Sequence, residues 1–182
     1  PVSESLESRL GELSTVSYAT YGMTETVSHI ALRKIGYEKE YFALGNVRFD
    51  RDERGCLCID APHLQQRHFV TNDVVELLDE RHFRWLGRWD HVILSGGLKF
   101  FPEVIERKIS DLFDGRFFIA SQPDKRLGER IVLVVEGHLP MNLDLLKEQL
   151  SKVLTPYEMP REFIVLPHFA ETRTGKVIRT FD

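Results

Sequence analysis

The chain has 182 residues, of which 42% are hydrophobic and 29% charged, the make-up of an ordinary soluble globular protein of one domain or one and a half. Its 24 basic and 28 acidic side chains leave a net charge of −4, which argues against nucleic acid as a principal partner. No apolar run approaches the roughly 18 residues of a membrane span and no secretory leader pattern precedes the first helical stretch, so the chain reads as cytoplasmic, without a membrane partner.

Residues 3–13 carry Leu6, Leu10 and Leu13 at helical spacing, with Ser3 placed to cap. The abrupt start at Pro1 suggests a cut polypeptide. Residues 16–21 read as a buried strand that delivers Tyr-Gly-Met-Thr-Glu (21–25) to its C-terminal end, where open α/β sheets collect ligands. In that pentapeptide Tyr21 can stack on a purine and Gly22 permits a tight turn. Thr24 offers a hydroxyl to phosphate oxygens, and Glu25 a hard oxygen to magnesium. Read alone, Thr24 followed by an acidic residue is equally the capped start of a helix.

Residues 41–61 look like short antiparallel strands joined by charged turns, with the run 50–55 a solvated loop. The two cysteines, Cys56 and Cys58, lack zinc-site spacing. Alternating with Leu57 and Ile59, they fall on one face of a strand in a reducing compartment, so neither metal nor disulfide is expected. In residues 69–77 Asp73 offers a carboxylate able to accept two hydrogen bonds from a vicinal diol, and Asn72 tolerates left-handed geometry better than most residues; an Asx turn between strands is the alternative. A turn at 79–82 and a strand at 83–86 follow.

Residues 87–106 (GRWDHVILSGGLKFFPEVIE) are the stretch that organises the chain. Arg88 and Asp90 lie two apart, Gly96-Gly97 breaks an apolar run, Lys99 and two aromatics come next, and Pro102 opens a helical pattern. The order is strand, glycine turn, strand, helix. Strands at 116–121 and 130–136 flank a turn at 123–128 whose Lys125 and Arg126 form an exposed basic pair. A helix at 141–154 and a strand at 162–166 complete a compact α+β unit. In the final loop, Thr-Gly-Lys ending at Lys176 looks like the end of a P-loop, but no glycine stands five positions before Gly175, so that reading fails.

Taken together and in order, YGMTE (21–25), Asn72-Asp73, the 87–106 stretch and TRTGK (172–176) resemble the acyl-adenylate-forming superfamily of acyl- and aryl-CoA ligases, luciferases and peptide-synthetase adenylation domains. The resemblance covers nearly the whole chain. It implies an α/β and α+β fold: a C-terminal portion made of the β-rich end of the large domain (1–87) and a mobile α+β lid (88–182) pivoting at Asp90. It further implies that Tyr21 and Gly22 serve adenine, Thr24 the α-phosphate and Glu25 magnesium. Asp73 and Arg88 would serve ribose or phosphate, and Gly96, Gly97 and Lys99 the pantetheine of coenzyme A, whose phosphates Lys125 and Arg126 could also meet. Lys176 would drive adenylate formation. The implied reactants are a carboxylic acid, ATP and coenzyme A.

The continuation YGMTET with Ser28 and His29 is similar to o-succinylbenzoate-CoA ligases of menaquinone synthesis, in which those two residues would face the acid. Departures from the family pattern are Asn72 for Gly, Ala170 for Pro, and a Ser/Thr/Gly-rich phosphate loop that these 182 residues do not contain, so little activity is expected of them alone. Other acyl-CoA ligases, an adenylation fragment serving a carrier protein, and an inactive binding module remain alternatives.

Overall fold

The computed structural model describes residues 4–173 and 175–181. Ser3, expected as a helix cap, and Thr174 of the TRTGK loop lie outside them. The chain divides into two compact units, Pro1–Asp90 and His91–Asp182.

Unit 1 begins with helix α1 (Glu4–Gly11), followed by strands β1 (Tyr18–Gly22), β2 (His29–Lys34), β3 (Tyr41–Ala43), β4 (Arg48–Arg51), β5 (Cys56–Asp60), β6 (His68–Asp79) and β7 (His82–Arg88). The seven strands form one sheet in the order β1-β2-β3-β7-β6-β5-β4, antiparallel at every pairing. Alternation of side chains puts Ile30, Phe49, Leu57, Ile59, Val75 and Phe83 into one core, against which Tyr21, Tyr41 and Trp85 pack. Helix α1 forms as its leucine spacing predicts, yet Leu6 and Leu13 are exposed; the Glu7 carboxylate pairs with Arg33 of β2.

Three local expectations are corrected. Strand β1 is an edge strand whose residues alternate between exposed and half-buried, so it is not the buried strand of an open α/β sheet. Asn72 lies inside the long strand β6, and Val27 is the one non-glycine with positive φ among the described residues. No left-handed turn therefore exists at Asn72, because the β6–β7 ladder holds that stretch extended. The charged run at 50–55 is more than a solvated loop: Asp52 Oδ1 accepts the amides of Arg54 and Cys56, each at 2.9 Å, and the Arg54 guanidinium reaches back to Asn72 Oδ1 at 3.1 Å. Both cysteine thiols are pushed up by burial, which keeps them protonated and unreactive.

Unit 2 holds β8 (Ile93–Ser95), β9 (Leu98–Phe100), α2 (Pro102–Ile109), β10 (Phe117–Asp124), β11 (Gly128–Glu136), α3 (Leu143–Val153) and β12 (Glu162–Leu166). The expected strand, glycine turn, strand, helix is present. Both central turn residues, Gly96 and Gly97, have positive φ (59° and 80°), the geometry of a tight hairpin that a Cβ would strain. Helix α2 starts with Pro102 in its first turn, and α3 is capped by Asn142, whose side chain accepts the Leu145 amide at 2.9 Å. Strand β11 is central: β10 flanks it antiparallel, and β12 runs parallel on its other side. Helices α2 and α3 cover one face through Ile105, Ile109, Leu146 and Leu150 against Ile131, Leu133 and Val135. The other face, with Val132 and Val134, packs on Phe118 and Phe169. No helix among the described residues is long and apolar enough to cross a membrane.

Candidate functional site

Unit 1 gathers motif residues that are far apart in sequence. Strand β1 carries Tyr21 across the sheet edge, and β6 presents Asp73. The phenol Oη donates to Asp73 Oδ2 at 2.6 Å, and the indole Nε1 of Trp85 donates to Oδ1 at 3.2 Å. Asp73 is itself set by its own backbone, whose amide donates to Thr71 Oγ1 at 3.0 Å. The Tyr21 ring stands edge-on to Phe83 at 5.1 Å and to Tyr41 at 5.9 Å, so packing fixes its plane. Burial, and then the charge of Asp73, push the Tyr21 phenol far above its ordinary value. It remains a proton donor at any physiological pH. A carboxylate has about four acceptor positions; among the described residues these two side-chain donors take two of them, which leaves room for another pair of hydroxyls.

Beside this pair, Arg88 is the cross-strand neighbour of Asp73, and its guanidinium donates to Asp90 Oδ2 at 2.6 Å. The Asn72 side-chain amide donates to Asp90 Oδ1 at 3.3 Å. Asn72 in turn is held by Arg54, which the Asp52 carboxylate grips at 2.8 Å. Trp85, Thr71 and Arg54 are site residues that sequence reasoning missed. Regular pairing outward from the 79–82 turn would set Trp85 opposite Glu76; only the irregularities of the β6–β7 ladder, which pair it with Val75, turn it to the face of Asp73, so neither Trp85 nor Arg54 carried a sequence signal.

The loop after β1 is a 3-10 turn at Thr24–Thr26. Its buried Thr26 ties it down: the Met23 amide donates to Thr26 Oγ1 at 2.9 Å, and that hydroxyl donates to the Ser28 carbonyl at 2.8 Å. Thr24, Glu25, Ser28 and His29 are left exposed, with Ser28 Oγ 3.2 Å from His29 Nδ1. Gly22 is needed for a reason other than the tight turn expected of it. A Cβ there would stand 2.5 Å from the Ser28 carbonyl oxygen and 2.8 Å from His29 Cα, where β1 and β2 slip register. Val27 holds φ at 63°, a strained backbone for a β-branched residue. No group of three or more His, Cys, Asp or Glu able to hold a metal exists among the described residues. A single exposed carboxylate at Glu25 suits magnesium only as one ligand of an ion otherwise held by phosphates and water.

Unit 2 carries the remaining candidates. Gly96 and Gly97 are exposed on the β8–β9 turn, beside Lys99 on β9. The turn is fastened by the Gly96 amide to the Leu127 carbonyl at 2.9 Å, and by the Leu94 amide to Glu129 Oε2 at 2.6 Å. A Cβ on Gly97 would meet nothing within 4 Å, so within this unit backbone sign, not space, calls for glycine there. Lys125 and Arg126 are exposed in the β10–β11 turn, where Asp124 Oδ1 accepts the Arg126 and Leu127 amides at 2.9 Å. Lys176 is exposed on a hairpin bridged between Glu171 and Val177. The Thr172 amide donates to the Lys176 carbonyl at 2.8 Å, and the Lys176 amide to Thr172 Oγ1 at 3.1 Å.

No family model matches the chain. It is 31% identical over 114 residues to the uncharacterized acyl-CoA ligase YhfT of Bacillus subtilis, covering 62% of this chain and 23% of that one. To the 2-succinylbenzoate-CoA ligase of Lactococcus lactis it is 23% identical over 188 residues, covering 92% of this chain and 41% of that one. Among solved structures, o-succinylbenzoate coenzyme A synthetase from Bacillus subtilis, in complex with ATP and magnesium, superposes with a TM-score of 0.84 at 20% identity, covering 98% of this chain and 44% of that one. The chain thus spans less than half the length of these relatives. Its homologues and structural neighbours are acyl-CoA ligases of the adenylate-forming superfamily, and its fold is that of their C-terminal part.

Proposed function

We propose that the protein joins a carboxylic acid to coenzyme A at the expense of ATP, through an acyl-adenylate, and that the acid is o-succinylbenzoate. The observation that carries this reading is the Tyr21–Asp73 hydrogen bond beside Arg88, which assembles an aromatic face, a diol acceptor and a cation from three separate stretches of sequence.

In the first half reaction an oxygen of the acid attacks the α-phosphorus of ATP and pyrophosphate leaves. Asp73 receives the ribose hydroxyls on its two remaining acceptor positions. Tyr21 and Gly22 border the adenine, Arg88 the ribose or phosphate, and Thr24 donates to the α-phosphate. Glu25 would contribute one oxygen to magnesium, which when bound screens the phosphate charge. Lys176 supplies an ammonium to the charge that spreads over the carboxylate and α-phosphate in the transition state, a term that grows as water is excluded.

In the second half reaction the thiol sulfur attacks the acyl carbon, AMP leaves with the electron pair of the broken bond, and the thiol proton is lost. For this step unit 2 pivots at Asp90, Lys176 withdraws, and the Gly96-Gly97 hairpin with Lys99 borders the incoming pantetheine. The division of the chain after Asp90 supports a pivot there. Lys125 and Arg126 are exposed where phosphates of coenzyme A could meet them. Ser28 and His29, an exposed hydroxyl and imidazole in contact, suit recognition of the carboxylates of the acid. The reducing cytoplasm is the compartment that fits two buried or half-buried free thiols.

Residues 1–182 contain no phosphate loop, so by themselves they bind ATP weakly; tight binding in isothermal titration would contradict that. The function is tested by supplying the full-length gene product with ATP, coenzyme A and, separately, o-succinylbenzoate, benzoate and fatty acids, following pyrophosphate and thioester. Turnover of o-succinylbenzoate well above the others is expected. Preference for a fatty acid would overturn the substrate, and no pyrophosphate with any acid would overturn the reaction.

A further inference from the structure

The hairpin that carries Lys176 is fastened to unit 2 at both legs by guanidinium groups. On the first leg Glu171 pairs with Arg116, and the same guanidinium grips Glu136 at the end of β11 through Nε and Nη2, each at 2.6 Å. Glu136 Oε1 also accepts the Phe169 amide at 2.7 Å, so one carboxylate holds both the arginine and the chain entering the hairpin. On the second leg, Arg179 Nη1 donates to Glu103 Oε1 at 3.1 Å, and Nη2 donates to Glu106. Glu103 and Glu106 stand one turn apart on α2. Glu106 further accepts the Ile119 amide at 2.7 Å, and Glu103 Oε1 lies 2.5 Å from His91 Nδ1. Both guanidiniums lie over aromatic rings, Arg116 over Phe169 at 5.8 Å and Arg179 over Phe118 at 5.7 Å. Val177, at the closing bridge, packs into the same cluster as those rings.

The second leg is costly to build. The side chains of Arg179, Glu103 and Glu106 are only 19%, 7% and 17% exposed. Burial pushes the Glu106 carboxyl above its usual range against the charge of Arg179. A buried charge cluster of this kind gives little net stability over apolar side chains of the same volume. What it does deliver is a fixed geometry, since a guanidinium fork meeting two carboxylates on one helix leaves the backbone few positions.

We propose that Arg179, with Arg116 on the opposite leg, is a positioning residue for Lys176: the two forks make the exposed hairpin rigid with unit 2, so the ammonium is presented at one place instead of sampling many. The proposal rests on the reading that Lys176 serves adenylate formation.

The test uses the full-length gene product. Amide exchange at Ile178, whose N–H donates to the Ala170 carbonyl at 2.8 Å, is expected to accelerate at least ~10-fold in Arg179→Leu and in Arg116→Gln, with β10 and β11 amides unchanged. Acid-dependent pyrophosphate release is expected to fall about 10²-fold in Arg179→Leu, the order expected of a misplaced catalytic group. Thioester formation from preformed adenylate is expected to stay within about threefold by the same argument, and Arg179→Lys should recover part of the first step. Unchanged exchange at Ile178, or equal loss of both half reactions in the folded Arg179→Lys and Arg116→Gln variants, would overturn the proposal. Lys176→Ala run alongside separates the two failures. If it spares adenylation, the parent reading fails; if it abolishes adenylation while the arginine variants retain it, positioning fails.

Discussion

Tyr21→Phe isolates the interaction that joins the first motif of unit 1 to the second. The substitution removes one hydroxyl and keeps the ring, so the edge-on contacts to Phe83 and Tyr41 survive and the loss is the 2.6 Å bond to Asp73. A hydrogen bond to a charged acceptor contributes about 1.5–3 kcal/mol. Tyr21 and Asp73 are both half-buried, which lowers the expectation to about 1–2 kcal/mol. For a unit of this size that is a fall of roughly 5–15 °C in its unfolding midpoint, read by calorimetry.

A double-mutant cycle with Asp73→Asn should give a coupling of about 1 kcal/mol or more. The pH profile adds a second signature. The phenol is raised above its ordinary 10.0 by burial and by Asp73, so it ionises in the unfolded chain before it ionises in the fold. Its contribution is complete below pH 10 and declines above it in the parent, a decline absent from Tyr21→Phe. A midpoint unchanged within ~1 °C, or a coupling near zero, would refute the reasoning.

Three further outcomes follow from the same geometry. Asp73→Ala should raise the Michaelis constant for ATP in the full-length gene product at least ~10-fold, whereas Tyr21→Phe should change it by less than about threefold, because the two unused acceptor positions of the carboxylate remain; a larger effect from Tyr21→Phe would be contrary. Val27→Gly relieves a β-branched residue at φ 63° that is 84% exposed and should stabilise unit 1 by about 0.5–1 kcal/mol in urea unfolding, with destabilisation as the opposing result. The Arg116 guanidinium, helped by the Phe169 amide, holds the Glu136 carboxyl down to about 2. The stability this gives is present above about pH 4.5, the ordinary value, and is lost as pH falls towards 2. Acid titration of Arg116→Gln should lack that loss, and a profile identical to the parent would count against the pairing.

Much of this protein can be read from its residues, and the reasons differ by element. The glycine pair, Pro102 and the 3.6-residue spacing behind it announce β8, β9 and α2, because each acts through local backbone sterics. Edge or centre is not local. The alternation of β1 is the same whether a second neighbour covers it or not, so its exposure was missed. Asn72 shows the converse, since its side chain tolerates a turn while the ladder of a twelve-residue strand decides its backbone. Motif residues point to the candidate site, but the partners that hold it come from fold geometry. Trp85, Arg54, Arg116 and Arg179 act across 12 to 76 residues of sequence, distances over which periodicity carries no information.

The most direct measurement is a comparison of the two half reactions in the full-length gene product carrying Lys176→Ala. Acid-dependent pyrophosphate exchange should be abolished, while conversion of synthetic acyl-adenylate and coenzyme A to thioester proceeds near the parental rate. Equal loss of both steps, or adenylation undiminished without that ammonium, would contradict the account.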